Sequence, residues 1–198
     1  MSETFLIVKL AAAGDVLLTT AMAAALRQTL PGCRIGWITT AYAAPLLEAN
    51  PDLDDIFILP PARRIWAELR QWQRRYADAT VLVAHRSDRL ALLLRLAGWR
   101  RLIGWDNGRN WGLARSVRFE LGDHRLQWQL DLLAAAGIVP IAPLAPRLRL
   151  RADELAAGER VWRGARGPRW VMAAGGASNP WSAMPNRVWA RERFLELA

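Results

Sequence analysis

The sequence places one acidic side chain, Asp15, where a strand is predicted to end and a helix to begin. Residues 4–10 form an aliphatic, β-branched run typical of a buried strand, and residues 16–27 are rich in Ala, Leu and Met, which favour a helix. Open α/β sheets bind ligands at this edge. The helix dipole and nearby backbone N–H groups hold a carboxylate there ionised, which suits a general base. The position also suits a plain helix N-cap, and this stretch alone leaves both interpretations open.

A second group of candidate residues lies in a basic helix predicted over residues 62–76. Five arginines face one acid, Glu68, and two tryptophans interrupt them, which suits an anionic glycolipid at a membrane surface. The arginines are Arg63, Arg64, Arg70, Arg74 and Arg75, and the tryptophans are Trp66 and Trp72. A solvated helix face with inward-packed tryptophans is an equally weighted alternative.

The histidines and two loop tryptophans give weaker signals. His85 and His124 lie far apart and lack acidic neighbours at ligand spacing, so structural roles are favoured and no metal site is predicted. His85 is expected to face the ligand-binding edge. Trp105 and Trp111 suit either stacking on a sugar or packing over the domain.

Composition indicates a globular protein with an anionic partner. The chain has 198 residues, 53% of them hydrophobic, and a net charge of +9 carried almost wholly by arginine, since Lys9 is the only lysine. Cys33 is the only cysteine, which excludes an internal disulfide and fits a reducing compartment. No apolar run reaches the roughly 20 residues that span a bilayer, and no signal peptide is evident. We therefore expect a cytoplasmic protein that touches a membrane surface without crossing it.

Strands and helices alternate over short links, which predicts an α/β fold with a parallel sheet. The predicted strands are 4–10, 33–39, 55–59, 79–84, 101–104 and 114–121. The predicted helices are 16–27, 41–49, 62–76, 87–97 and one capped by Asp123 that ends at Gly137.

Three prolines, Pro140, Pro143 and Pro146, predict a stiff linker. The predicted domains are 1–139 and 148–198, joined by the linker 140–147. The second part is predicted to hold strands at 147–151 and 169–174, a helix at 152–163 and a helix that includes 194–198. Because so short a part cannot bury a good parallel-sheet core, we expect it to be the incomplete start of a second domain.

The second part also carries a small-residue turn, 175–180, after its predicted strand. Small residues there let backbone N–H groups approach a phosphate. The turn lacks the lysine of a phosphate-binding P-loop and the Gly-x-Gly-x-x-Gly pattern of dinucleotide sites, so an ordinary turn is the alternative.

Four segments, in order, resemble the heptosyltransferases, glycosyltransferase family nine. They are residues 6–10 with Gly14-Asp15-Val16 and the following Leu-Thr-Thr-Ala; the apolar helix, glycine and Arg-Leu-Ile-Gly of residues 89–104; the helix 124–138, which opens with His and closes on Gly-Ile; and Ala174-Gly-Gly-Ala-Ser178 followed by Arg187-Val-Trp189 and Arg193-Phe194. Ala190 stands where the family usually has proline after the tryptophan.

This resemblance implies a GT-B fold, in which two Rossmann-like domains face each other across a cleft. It implies transfer of a heptose from an ADP-sugar to the inner core of lipopolysaccharide, with inversion and without a cofactor or metal. Asp15 is then the base, and the donor diphosphate would meet Gly14, Gly175, Gly176, Ser178 and Arg187. The lipopolysaccharide core or lipid A acceptor would meet Arg63, Arg64 and Arg70. The implied location is peripheral to the cytoplasmic face of the inner membrane.

Other classes remain as alternatives. A truncated, non-catalytic remnant that binds an anionic glycolipid surface would keep the basic helix without turnover. A nicotinamide-dependent oxidoreductase lacks its glycine fingerprint. Nucleic-acid binding fits the charge, but no recognition module is visible, so no nucleic-acid partner is expected.

Overall fold

A computed structural model describes residues 3–120, 122, 124–164, 166–168, 170–172 and 190–196. The chain divides into two compact units, Met1–Leu150 and Arg151–Ala198. The first unit contains all six strands found in the described residues.

The first unit is built on one parallel sheet whose strands run in the order β3-β2-β1-β4-β5-β6. The strands are β1 (Thr4–Val8), β2 (Arg34–Thr39), β3 (Asp55–Ile58), β4 (Thr80–Val83), β5 (Arg101–Trp105) and β6 (Arg115–Val117). The helices are α1 (Ala13–Thr29), α2 (Ile65–Arg75), α3 (Asp88–Ala97) and α4 (Arg125–Ala135), with 3₁₀ turns at Ala44–Leu46 and Ala62–Arg64. This confirms the predicted α/β, Rossmann-like class.

Helices cover both faces of the sheet, so its central strands are buried on both sides. Along β1, Phe5 and Ile7 pack into the core under α1 and α4, while Leu6 and Val8 pack into the core under α2 and α3. These four side chains are at most 2% exposed. Each fully buried aliphatic or aromatic side chain contributes about 1.5–3 kcal/mol to the stability of the folded chain. The position of β1 is therefore well fixed, and so is the start of the loop that follows it.

Several predicted elements differ from the structure where local signals were weak. The predicted helix 41–49 is only the 3₁₀ turn Ala44–Leu46, because Pro45 lies within it and Asn50-Pro51 ends it. The predicted strand 114–121 shortens to the edge strand β6. The helix predicted to be capped by Asp123 begins at Arg125 with His124 as its N-cap, while Asp123 lies outside the described residues.

The proline-rich segment lies within the first unit, since the division between the units follows Leu150. Arg147 fixes it there: its backbone N–H donates to Thr20 Oγ1 at 2.8 Å, and its guanidinium pairs with Asp52 at 2.9 Å. Residues 147–151 form no strand, contrary to the prediction: the Arg147 N–H donates to the Thr20 side chain and the Arg151 N–H to the Glu154 side chain, instead of to a neighbouring strand.

The second unit contains α5 (Ala152–Val161) and α6 (Arg191–Leu195) among its described residues. At the start of α5 the Arg151 backbone N–H donates to Glu154 Oε2 at 2.7 Å, which caps a helix close to its predicted bounds. Residues 170–172 are not in a strand, and the rest of the predicted strand 169–174 lies outside the description. None of the helices described is both long and apolar enough to cross a membrane.

Candidate functional site

A cavity of about 280 Å³ opens where the strand order of the first unit reverses. The chain leaves β1 toward β2 and β3, then returns to pair β4 on the other side of β1. The loops after β1 and β4 therefore diverge at their carboxyl ends, and this topological switch point is where open α/β sheets bind ligands. Lys9 and Asp15 line the cavity from the β1 side, His85 and Arg86 from the β4 side.

Asp15 is the third residue of α1, and its carboxylate is held by two cations. Oδ1 accepts a hydrogen bond from Arg125 Nη1 at 2.9 Å, and Oδ2 lies 3.5 Å from Lys9 Nζ. The Asp15 side chain is 31% exposed. An ionised carboxylate has about four lone-pair sites, so capacity remains for a hydroxyl that approaches from the cavity.

The helix-cap interpretation of Asp15 is wrong, because the N-cap of α1 is Ala12, which makes no side-chain cap bond. Instead the backbone around Asp15 is fixed by other groups. Thr19 Oγ1 donates to the Asp15 carbonyl at 2.7 Å. Trp37 Nε1 donates to the Lys9 carbonyl at 3.2 Å, and Thr40 Oγ1 donates to the Leu10 carbonyl at 2.9 Å. The strand-to-helix turn is therefore anchored on both sides of the site.

Burial shapes the charge of the two basic groups nearest Asp15. Desolvation lowers the pKa of the Lys9 ammonium from its usual value, and the Asp15 carboxylate partly offsets this. Desolvation, with help from Lys9, lowers the pKa of His85 to about 4, so its imidazole is neutral at pH 7. His85 thus faces the cavity as expected, as a neutral hydrogen-bonding group.

An aromatic cluster forms one wall of the cavity. Trp105, Phe119 and Trp128 pack against one another with ring centroids 4.3–6.4 Å apart. Cations cover two of the rings: Arg86 lies 4.0 Å above Phe119, and Arg125 lies 4.8 Å from the centre of Trp128. Trp105 therefore both packs and lines the site, whereas Trp111 is 47% exposed beside Arg109 and outside the cavity lining.

The basic helix splits into a packed side and a solvent side. Trp72 is 8% exposed and packs on Phe57, while Trp66 is 45% exposed, so only one of the tryptophans packs inward. The arginines Arg63, Arg64, Arg70 and Arg74 are exposed, and Arg75 forms an ion pair with Asp55. Arg63 and Arg64 follow β3 at the same edge of the sheet as Asp15, but they are not part of the cavity lining.

The predicted donor residues are only partly covered by the structure. Gly14 is the second residue of α1, is exposed, and a Cβ built on it would meet no protein atom within 4 Å. Gly175, Gly176, Ser178 and Arg187 lie outside the described residues. His124 has the structural role that the sequence predicts: it caps α4 by accepting the Leu126 N–H at its Nδ1.

Sequence reasoning did not place Lys9, Arg125, Arg86 or Gln129 in the site. Arg125 pairs with Asp15 across 110 positions of sequence, so no local pattern reveals the contact. Lys9 carried a signal: it is the only lysine of the chain and directly follows β1, the strand that precedes Asp15. A charged residue at the carboxyl end of a buried parallel strand lies at the ligand-binding edge.

The cavity is therefore the switch-point site of a Rossmann-like sheet, and solved glycosyltransferases of family 9 share this fold. The chain is similar to the family 9 glycosyl transferase from Veillonella parvula DSM 2008, with a TM-score of 0.72 and 17% identity over 98% of this chain and 58% of that one. It is also similar to E. coli heptosyltransferase WaaC with ADP (TM-score 0.56, 21% identity, 71% of this chain and 50% of that one). A third structure, E. coli ADP-heptose lps heptosyltransferase II, gives a TM-score of 0.60 and 18% identity over 81% of this chain and 50% of that one.

These likenesses confirm the predicted resemblance at the level of the fold. The chain spans about half to three-fifths of the length of the structures it matches. No family model matches the sequence, and no curated protein gives a significant match.

Proposed function

We propose that this chain is the acceptor-side part of an inverting glycosyltransferase that moves a heptose from an ADP-sugar to the inner core of lipopolysaccharide. The observation that carries the proposal is the Asp15 carboxylate. It is anchored at the switch point, bound by Lys9 and Arg125, and open to a cavity. The shared fold of the family 9 structures supports the same assignment.

The reaction requires one general base that acts on one hydroxyl. Asp15 removes the proton of the acceptor hydroxyl while the oxygen of that hydroxyl forms a bond to the anomeric carbon of the donor sugar. The bond from that carbon to the diphosphate breaks on the opposite face, and its electron pair leaves with the diphosphate. Attack opposite the leaving group inverts the anomeric centre. Lys9 and Arg125 fix the direction of the carboxylate through the contacts described above.

The cavity suits a sugar acceptor that carries anionic groups. Aromatic rings stack on the apolar C–H face of a pyranose, and the wall of Trp105, Phe119 and Trp128 supplies such a surface. Arg86 and Arg125 add donors that bind carboxylate or phosphate at two oxygens together.

The donor belongs to the part of the protein that the described residues cover least. One similar structure is WaaC with ADP-2-deoxy-2-fluoro heptose, which supports a nucleotide sugar as donor here. In our proposal Gly175, Gly176, Ser178 and Arg187 bind its diphosphate together with Gly14. The donor is a substrate, and no cofactor or metal is proposed.

The purified protein tests the proposal directly. With ADP-heptose and a deacylated lipopolysaccharide inner core, we expect a product one heptose heavier, measured by mass spectrometry, and an inverted anomeric configuration by NMR. No product with ADP-heptose or other nucleotide sugars, from protein that calorimetry shows to bind both ADP and the core, would contradict the enzymatic assignment.

We expect Gly14→Ala to lower transfer about tenfold without destabilising the protein. A Cβ at Gly14 meets no protein atom, and Ala is the better helix residue by about 0.5–1 kcal/mol. The added methyl group instead occupies the space through which the diphosphate reaches the start of α1. The matched control is Gly32→Ala, which also meets no protein atom but precedes β2 at the opposite edge of the sheet. Equal transfer rates for the two variants would remove Gly14 from the donor site.

The exposed arginines after β3 give a salt-dependent prediction. We expect Arg63→Ala with Arg64→Ala to weaken acceptor binding by roughly fivefold, about 1 kcal/mol, because exposed ion pairs contribute little each. The loss should shrink at high salt. The control is Arg100→Ala, an exposed arginine just before β5 at the other edge of the sheet. Binding to anionic vesicles and to the deacylated core is measured for the double variant and for the control. If the double variant binds both as wild type does, Arg63 and Arg64 have no role in acceptor binding.

A non-catalytic binder of anionic glycolipid is the second candidate. The exposure of Arg63, Arg64 and Arg70 favours this candidate, because an exposed basic surface can bind an anionic glycolipid without catalysing a reaction. It predicts binding to lipopolysaccharide without transfer, and no effect of Asp15 substitutions. Our proposed location for either function is the cytoplasmic face of the inner membrane, tested by cell fractionation with and without high salt.

A further inference from the structure

One side-chain oxygen in the wall of the cavity, Oε1 of Gln129, has no hydrogen-bond partner among the described residues. Gln129 lies on α4, one turn after Arg125, and is 5% exposed. It lines the cavity, and its Oε1 is closed to water and accepts no hydrogen bond from the described residues. Gln127, on the same helix, shows the usual state of such a side chain: it is exposed and donates to Asp131 at 2.8 Å.

An unpaired buried amide oxygen is costly, so its presence calls for a reason. The carbonyl oxygen of a primary amide has two acceptor lone pairs, and leaving it unpaired in a buried position destabilises the folded chain. Buried polar groups in folded proteins are nearly always paired. An apolar side chain of similar shape would avoid the cost, because the neighbouring wall is aromatic.

The surroundings of Gln129 indicate the chemistry of its partner. The nearby cations Lys9 and Arg125 are bound to Asp15. Trp128 Nε1 is already used, because it donates to the Glu120 carbonyl at 2.9 Å. The unpaired group is the oxygen of a neutral amide, an acceptor, and it lies beside aromatic rings. Its complement is a hydroxyl, or a pair of neighbouring hydroxyls, on a sugar ring.

We propose that Gln129 is a positioning and specificity-determining residue that hydrogen-bonds a hydroxyl of the acceptor sugar and so orients the ring toward Asp15. The inference rests on the proposed function, because it deepens the acceptor site of the same reaction. The last torsion of a glutamine side chain is broad, so the amide turns toward a bound hydroxyl without moving α4.

Gln129→Met separates this role from a structural one. Methionine has a similar length and no hydrogen-bonding amide, so it removes the unpaired group and keeps the packing. We expect the melting temperature of the free protein to rise by about 2–4 °C. We expect the affinity for the acceptor to fall roughly tenfold, with KM raised more than kcat is lowered. A merely structural glutamine would lower the melting temperature and leave the affinity unchanged.

The experiment uses the purified protein and one probe, the deacylated inner-core oligosaccharide of lipopolysaccharide. Calorimetry measures its binding to wild type, Gln129→Met, Gln129→Asn and the control Gln127→Met. We expect a large loss of affinity for Gln129→Met, a smaller loss for Gln129→Asn and no loss for Gln127→Met. Versions of the probe that each lack one hydroxyl identify the hydroxyl that Gln129 binds. The version that lacks this hydroxyl should bind wild type and Gln129→Met equally.

The outcomes keep the two proposals apart. Equal binding of the oligosaccharide by wild type and Gln129→Met would overturn this inference whatever the transfer assay gives. Failure of wild type to transfer heptose, with selective loss of binding in Gln129→Met, would overturn the proposed function and support a sugar-binding role for Gln129. No binding by wild type would overturn both.

Discussion

Asp15→Asn is expected to lower sugar transfer by about 10²- to 10⁴-fold, the range that a positioned general base contributes. Asparagine keeps the shape of the side chain and its hydrogen bond from Arg125, but its amide cannot take a proton. The acceptor hydroxyl must then attack without losing its proton to the enzyme. We therefore expect kcat to fall while the affinity for the deacylated core changes little, as measured by steady-state kinetics and calorimetry.

The control for this prediction must be an aspartate outside the cavity. Asp131→Asn serves, because Asp131 lies on α4, accepts from Gln127 and is not part of the cavity lining. It should transfer at the wild-type rate. A folded Asp15→Asn protein, checked by circular dichroism, that transfers within twofold of wild type would contradict the role of Asp15 as base and favour the non-catalytic binder.

The position of Asp15 could be predicted from sequence because every signal for it is local. A β-branched run, a turn of small residues and an Ala- and Leu-rich run follow one another directly, and the parallel class puts that turn at the binding edge. The same reasoning located α3, where Ser87 accepts the Leu90 N–H as cap and Gly98 ends the helix with φ of 121°. Signals within a short stretch of sequence were therefore sufficient for both.

The partners of Asp15 could not be predicted in the same way. Arg125 is brought to it by the packing of α4 beside α1, which depends on the shared core around Met22, Leu26, Leu132 and Leu133. Neither arginine content nor helix periodicity distinguishes Arg125 from the other exposed arginines of this chain. The pairing is a property of the tertiary structure, and so is the unpaired Oε1 of Gln129.

The proline-rich segment carries a strong local signal that says nothing about what the segment packs on. Three prolines favour a stiff, extended chain, and residues 140–150 do lack helix and strand. The side chain that holds this segment lies in its last part. Arg147 binds Asp52, which is 95 positions earlier in sequence, and so the segment packs on the first unit.

This ion pair gives the largest stability effect that we expect outside the hydrophobic core. The Asp52 side chain is 3% exposed, and both of its carboxylate oxygens accept from Arg147 Nη1, at 2.9 and 3.1 Å. Arg147→Met leaves that buried carboxylate without its cation. Removing one partner of a buried pair costs about 3–5 kcal/mol, and the partial exposure of Arg147 puts the expected loss near the lower end.

Urea unfolding of the purified protein measures this loss, with Arg149→Met as control, because Arg149 lies two residues away and is exposed. The double variant Asp52→Asn with Arg147→Met should be more stable than Arg147→Met alone, since it removes the buried charge together with its partner. Equal stability of Arg147→Met and Arg149→Met would mean that the ion pair with Asp52 does not hold this segment on the first unit. A loss near 3 kcal/mol for Arg147→Met alone would instead mean that the first unit needs the chain as far as Arg147 for its stability. A fragment that ends at residue 139 would then leave Asp52 buried without its cation.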